Sequence, residues 1–127
     1  MEKYSVKINN NTYELLCETW KTYRAWGHRV ILLRNDVELN ERKIRYYNRT
    51  WECYRYQTCM FGCIEDYIER ECNKYIYAYR QATEITRFKK GEKQKLIATF
   101  NKSILVKELN ALRECVRMHN FQDLKVS

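Results

Sequence analysis

Apolar and polar residues alternate along the first third of the chain, a pattern typical of half-buried β-strands. A first strand is predicted from Thr12 to Tyr23, and a second over the β-branched apolar run from His28 to Arg34. Asn35-Asp36 is a hairpin signal that lacks the usual glycine, and a third strand is predicted from about Val37 to Tyr47. We therefore expect an antiparallel β-meander of three strands over residues 12–47.

The segments next to these strands favour turns. The polar N-terminus ends in Asn9-Asn10-Asn11, and Ala25-Trp26-Gly27 offers a second place for the chain to turn. In the third strand, alternation directs Lys43 and Arg45 to one face and Ile44 to the other. One face of the sheet is thus expected to pack on a helix, while the other is left for water or a partner.

The spacing of apolar residues becomes helical near Thr50, which is a plausible N-cap. From there the apolar residues recur mostly at three- and four-residue steps, which places them on one side of a helix. The residues of this stripe are Trp51, Tyr54, Cys59, Met60, Cys63, Ile64, Tyr67, Ile68, Cys72, Tyr75 and Ile76. The pattern predicts a central helix over residues 50–88, with a possible break near Asn73 or Thr83, that covers the first face of the sheet.

Two shorter helices are predicted after Gly91, which marks a chain reversal. Lys93 to Asn101 is typical of a short helix, and Ser103 is a cap for the last one. The apolar stripe of that last helix consists of Leu105, Leu109, Leu112 and Val116. The tail from Asn120 is expected to fray. The sequence predicts one α+β domain over residues 1–127, with a three-stranded antiparallel sheet packed on the central helix and C-terminal helices over residues 93–119.

Composition narrows the class of protein. With 127 residues and 45% hydrophobic content, the chain is long and apolar enough for one folded domain and is not intrinsically disordered. It contains no apolar run of about 20 residues and no signal peptide, so we expect a soluble, cytoplasmic protein. In that compartment its six cysteines are expected to be reduced and buried.

Candidate catalytic and metal-binding groups are weak. Cys59 and Cys63 are four residues apart, but further metal ligands are scattered, and burial against the sheet explains the spacing better. The cluster of Glu65, Asp66, Glu69 and Glu71 would suit a metal-dependent nuclease, although such charges usually form a solvated, ion-paired helix face. We expect no catalytic residue, metal ion or cofactor; a nuclease is the enzymatic alternative.

The positive charge of the chain indicates a function more strongly than these candidate catalytic and metal-binding groups do. The chain has 24 Lys and Arg against 16 Asp and Glu, giving a net charge of +8 that attracts polyanions. Aromatic and basic residues are interleaved in Arg45-Tyr46-Tyr47-Asn48-Arg49 and in Tyr54-Arg55-Tyr56, a mixture suited to unstacked bases and phosphates. For the aromatic residues a structural role in closing the core is favoured, and for the basic residues contact with a polyanion is favoured. The predicted contacts to nucleic acid or a partner are Lys43, Arg45, Arg49, Arg55, Lys89, Lys90, Lys93 and Lys95.

Three phrases carry a resemblance over about residues 12–100: Tyr47-Asn48-Arg49-Thr50-Trp51-Glu52, Tyr56-Gln57-Thr58-Cys59-Met60, and Lys90-Gly91-Glu92-Lys93 with Leu96-Ile97. In these the chain resembles small uncharacterised accessory proteins of bacteriophages and mobile elements. The resemblance implies a phage product, a group in which inhibitors of bacterial defence, including anti-CRISPR proteins, recur.

These observations lead to one expected function and two alternatives. We expect a non-enzymatic protein of the bacterial host cytoplasm that binds nucleic acid, or a nucleoprotein such as a CRISPR effector, through a basic surface, with no membrane partner. One alternative is a DNA-binding regulator that places the sheet or a late helix in a groove. The other is a homo-oligomer, such as a homodimer, in which the central helix and the last helix bury each other across a symmetry axis.

Overall fold

A computed structural model of the chain describes residues 1–46 and 56–118 and the backbone of 122–125. Its elements are β1 (Glu2–Ile8), β2 (Asn11–Lys21), β3 (Trp26–Arg34), β4 (Val37–Tyr46), α1 (Gln57–Thr83), α2 (Glu92–Asn101), α3 (Ile104–Met118) and β5 (Gln122–Lys125). The strands form one sheet in the order β4-β3-β2-β1-β5, and every neighbouring pair is antiparallel. The predicted α+β class is confirmed.

The sheet has two strands more than predicted. β1 forms in the polar N-terminal segment, because Tyr4, Val6 and Ile8 alternate with polar residues and pack on the core. The chain then turns at Asn9, whose φ is 52°, and β2 runs back along β1. β5 pairs with β1 where the tail was expected to fray. The prediction of a three-stranded sheet was therefore wrong in strand number.

The structure confirms one of the two predicted hairpin turns and places the other at different residues. Asn35 and Asp36 connect β3 to β4, both with left-handed φ values, 50° and 67°, as a type I′ turn requires. This turn is confirmed. The turn predicted at Ala25-Trp26-Gly27 lies earlier, where the Thr22 amide donates to the Ala25 carbonyl at 2.7 Å, and Trp26 and Gly27 belong to β3.

Replacing Asp36 with glycine is expected to raise the free energy of unfolding by about 0.5 kcal/mol. The second central residue of a type I′ turn has a positive φ, which glycine adopts without the steric penalty that Asp36 carries at 67°. Chemical denaturation of both proteins measures the change. Asp36→Ala is the matched control and is expected to destabilise, so stabilisation by both substitutions would contradict the turn geometry.

The central helix is shorter than predicted at its C-terminal end. Its first described residue is Gln57, and the predicted start near Thr50 lies outside the described residues, as does the whole of 47–55. It runs unbroken through Asn73 and ends at Thr83, because Glu84 adopts a left-handed φ of 54°. The predicted extension to Phe88 was wrong, whereas an end near Thr83 was among the predicted possibilities.

The core lies between the inner face of the sheet and two helices, as expected for the sheet face that α1 covers. α1 packs on β3 and β4, and α3 packs on α1 and β1. Its fully or nearly fully buried residues are Tyr13, Leu15, Cys17, Val30 and Leu32 from the sheet, Cys59, Met60, Cys63, Ile64 and Tyr67 from α1, and Leu109, Leu112 and Val116 from α3. Much of the stripe predicted for α1 and most of that predicted for α3 are thus confirmed as core.

The C-terminal helices follow the sequence signals closely. Gly91 precedes α2 with a φ of 81°, a conformation that favours glycine. The Ser103 hydroxyl accepts a hydrogen bond from the Val106 amide at 3.3 Å, which confirms it as the cap of α3. α2 packs on the second half of α1, where the rings of Tyr75 and Phe100 lie 5.8 Å apart. The basic segment 87–95 is thereby held away from the sheet.

Candidate nucleic-acid interface

The outer face of the sheet is the surface that the described helices leave uncovered. Strand register assigns each residue to a face, and every described sheet residue that packs in the α1–α3 core belongs to the inner face or to the bulge in β4. On the outer face, Leu16 lies opposite Ile31, and both are half-buried. Lys43 and Arg45 point outward from β4, as the alternation predicted, and both are exposed.

Trp20 is the central aromatic residue of this face. The register aligns it with Gly27 and Arg45 in one row across three strands. A Cβ atom at Gly27 would lie 2.7 Å from Cζ2 of the indole, so only glycine lets the ring lie this close to β3. The Lys43 ammonium is 4.4 Å from the ring centroid, and the Arg45 guanidinium carbon is 5.6 Å from it, both within cation–π range.

The turn between β2 and β3 extends this cluster with Tyr23, which is 97% exposed, and with exposed Arg24. We call Trp20, Tyr23, Arg24, Lys43 and Arg45 the sheet corner. Within the described chain, none of its three cations forms an ion pair with a carboxylate. The sheet corner therefore has positive charge available to an external anion.

The acidic residues nearest to the sheet corner, Glu18 and Glu41, pair with Arg29 and not with Lys43 or Arg45. The Arg29 guanidinium bonds Glu18 at 2.8 Å and also bonds Glu41, on either side of it in the sheet. Hydrogen bonding to Arg29 lowers the pKa of Glu41, so the carboxylate stays ionised and paired. The charge of Lys43 adds to this shift from a longer distance.

The four lysines predicted near α2 form a second group. Lys89 and Lys90 lie in the loop before α2, Lys93 and Lys95 lie in its first two turns, and all four are exposed. We call them the helical basic group. The loop is anchored to α1, since the Arg80 guanidinium lies 5.5 Å from the Phe88 ring and donates to the Thr86 carbonyl at 3.0 Å.

The predicted contact residues therefore do not form one continuous patch. Cys59 contacts the Arg42 carbonyl beside Lys43, whereas Arg80 contacts Phe88 beside Lys89. The helical rise of about 1.5 Å per residue separates these two α1 positions by about 30 Å. The sheet corner and the helical basic group are thus distinct. Arg49 and Arg55 lie outside the described residues.

Cys59 and Cys63 of α1 are buried free thiols, as predicted, whereas Cys72 of α1 and Cys115 of α3 are only partly buried. Cys59 lies with its Sγ atom 3.4 Å from the Arg42 carbonyl, and Cys63 lies 3.7 Å from that of Val30. Burial raises the pKa of Cys59 to about 11 and that of Cys63 to about 12, so both are protonated at neutral pH. Among the described residues, no three His, Cys, Asp or Glu side chains are grouped as metal ligands would be.

Three of the four carboxylates of α1 are paired with cations. Glu71 bonds Lys74 at 3.4 Å, one of the partners that helical spacing suggested. Two further pairs reach other elements: Arg42 of β4 bonds Asp66, and Arg113 of α3 lies 3.5 Å from Glu65. Arg70 instead donates to the Leu39 carbonyl of β4. These pairs match the ion-paired helix face considered from the sequence.

Sequence reasoning did not select Trp20, Tyr23 and Arg24. One available signal was the position of Trp20, which alternation places opposite the core face of Tyr13, Leu15 and Cys17. A large aromatic residue on a non-core face marks an interaction surface more often than a buried one does. A second signal was Gly27 inside an apolar strand, because glycine there indicates a close approach of another group.

No protein-family model, curated protein or solved structure matches this chain. None of the helices in the described residues has the length and apolar character needed to cross a bilayer.

Proposed function

We propose that this chain is a non-enzymatic protein that binds nucleic acid, or a nucleoprotein, through the sheet corner and the helical basic group. The observation that carries the proposal is the arrangement of Lys43 and Arg45 around Trp20, with no carboxylate partner in the described chain. Exposed cations beside an aromatic ring suit a phosphate backbone and its bases. The net charge of +8 favours association with any polyanion.

A narrower role follows from the resemblance of residues 47–60 and 90–97 to phage accessory proteins. We propose an anti-CRISPR-like inhibitor that acts in the cytoplasm of a bacterial host on a nucleoprotein such as a CRISPR effector. A basic surface is unsuited to mimicking DNA, which requires an acidic face. It suits guide RNA, target DNA or an acidic patch of the effector.

Binding to a labelled single strand of about 20 nucleotides is expected to weaken steeply between about 50 and 200 mM salt, because phosphate contacts release counterions. Removing two contacts with Lys43→Gln/Arg45→Gln should reduce the slope of log K against log salt by about 1.4. Fluorescence anisotropy measures both quantities. The matched control is Lys74→Gln/Lys107→Gln, which neutralises two exposed lysines of α1 and α3 that belong to neither basic group, and it should change the slope less than the sheet-corner variant does. Salt-independent binding would exclude the proposed mechanism.

A DNA-binding regulator is the second candidate, and the exposed face of α2 favours it. The exposed residues of this helix of 10 residues are Lys93, Gln94, Lys95, Ala98, Thr99 and Asn101. A single helix fits the major groove, and Gln and Lys side chains read base edges there. Sequence-selective protection of a duplex in footprinting, lost in Gln94→Ala, would favour this candidate.

The homo-oligomer considered from the sequence has less support. It required the apolar stripe of α3 at a symmetry axis, but Leu109, Leu112 and Val116 already lie in the core of the chain itself. The exposed apolar residues nearby are Tyr77, Ile104 and Met118. Sedimentation over a concentration series tests whether they support association.

A further inference from the structure

We infer that the sheet corner binds unpaired bases, so that the ligand of this face is a single strand and not a duplex. The inference rests on the proposed function and specifies the substrate class of the same site. Three features of the described residues carry it: the close approach of Trp20 to Gly27, the cations beside the ring that have no acidic partner among the described residues, and the apolar pair Leu16 and Ile31 on the same face.

The aromatic ring of the sheet corner distinguishes a single strand from a duplex. The bases of a duplex are stacked on one another, so a duplex offers this face only its phosphates and base edges. A single strand also offers the faces of its bases, which can stack on an aromatic side chain.

The position of the Trp20 ring against Gly27 provides a surface on which a base can stack. Gly27 lets the ring lie close to β3, and Lys43 and Arg45 cover it in the free protein through cation–π contacts. A base that stacks on the indole takes the place of these cations. The same two side chains can then bind the adjoining phosphates, so the displaced contacts are replaced by ion pairs.

A second apolar surface lies along the same face. Leu16 and Ile31 form a row two rows from Trp20, and rows of one face are about 7 Å apart. The intervening row holds Glu18, Arg29 and Lys43, in which Arg29 also bonds Glu41. An extended strand can therefore place one base on Trp20 and another over Leu16 and Ile31, with its backbone near Lys43.

The charge of the outer face favours nucleic acid over a second copy of the chain as its ligand. A two-fold axis through the outer face would bring the sheet corners of two copies, each with cations that lack acidic partners, into one interface. Like charges desolvated together disfavour such a dimer, whereas the phosphates of a nucleic acid neutralise them. Single-stranded nucleic acid is therefore the ligand that matches both the apolar and the charged parts of the face.

The test compares three ligands of one sequence at one salt concentration: a labelled single strand of about 12 nucleotides, its duplex, and an abasic strand with the same backbone. The single strand is expected to bind at least about fivefold more tightly than the other two, since one stacked base contributes at least that much. The comparison with the abasic strand uses the unaltered protein, so it tests the inference even if a variant fails to fold.

Trp20→Ala is expected to weaken single-strand binding about tenfold and duplex binding less than about twofold, while Trp20→Phe retains most of the affinity. Lys43→Gln/Arg45→Gln is expected to weaken both ligands. Equal or tighter binding of the duplex or of the abasic strand would overturn the inference and leave the proposed function intact. Binding to none of the three ligands would overturn both the inference and the proposed function. Self-association that depends on protein concentration and is blocked by Trp20→Ala would instead show that the outer face of the sheet binds a second copy of the chain.

Discussion

Glu108→Ala is expected to lower the free energy of unfolding by about 3 kcal/mol, because it removes the acceptor of a buried hydrogen-bond network. Glu108 is only 2% exposed, although it is charged. Its carboxylate accepts from the Tyr13 hydroxyl at 2.7 Å and from the Asn11 amide at 3.0 Å. Without it, the Tyr13 hydroxyl is left buried and unpaired, and a cavity opens beneath α3.

The same network ties both ends of the chain together. Asn9 donates to Glu108 at 3.2 Å from the β1–β2 turn, and Arg34 lies 3.5 Å from it at the end of β3. Chemical denaturation measures the loss of stability. The control is Glu114→Ala on the same helix, which removes an exposed pair with Arg117 and should change stability by less than about 0.5 kcal/mol. Equal effects of the two variants would contradict the network.

The pH dependence of stability gives an independent readout of Glu108. Burial alone would raise its pKa, but hydrogen bonds from Tyr13, Asn9 and Asn11 and the charge of Arg34 lower it below the ordinary carboxyl value. A lowered folded-state pKa means that the carboxylate contributes stability above its unfolded pKa of about 4.3. This contribution is lost as the pH falls through the folded-state value. The stability difference between the natural chain and Glu108→Gln should therefore shrink on acidification.

Local pattern predicted those elements whose residues signal their own structure. The β3–β4 hairpin followed from Asn35-Asp36 between two alternating segments, and the cap of α3 followed from Ser103. The burial of Cys59 and Cys63 followed from helical spacing alone. In each case the signal lies within one short segment of the sequence, so the local pattern was sufficient.

Features built by distant residues did not follow from local pattern. The fifth strand depends on β5 reaching β1, which no periodicity within either segment specifies. Glu108 looked like an ordinary helical glutamate, because its partners lie at the other end of the chain. Likewise the cluster of Trp20 with Arg45 arises from the register of three strands.

Separation of the two basic groups predicts a length threshold for binding. About 30 Å separates them along α1, and a stacked strand advances about 3.4 Å per nucleotide, so at least about nine nucleotides are needed to span both. Shorter strands can occupy one group only. Once a strand bridges both, the second contact becomes intramolecular, and the affinity is expected to rise about 100-fold. Anisotropy titrations with single strands of increasing length measure this step.

Variants of each group distinguish bridging from simple accumulation of charge. One variant removes the helical basic group: Lys89→Gln/Lys90→Gln/Lys93→Gln/Lys95→Gln. It should lose the length step but still bind short strands at the sheet corner. The other variant, Lys43→Gln/Arg45→Gln, should also lose the step but still bind short strands at the helical basic group. Since the sheet stands between the groups, a bridging strand must pass around an edge of the sheet, so its path is longer than the direct distance along α1. An affinity that grows smoothly with length in all three proteins would show that the two groups act independently.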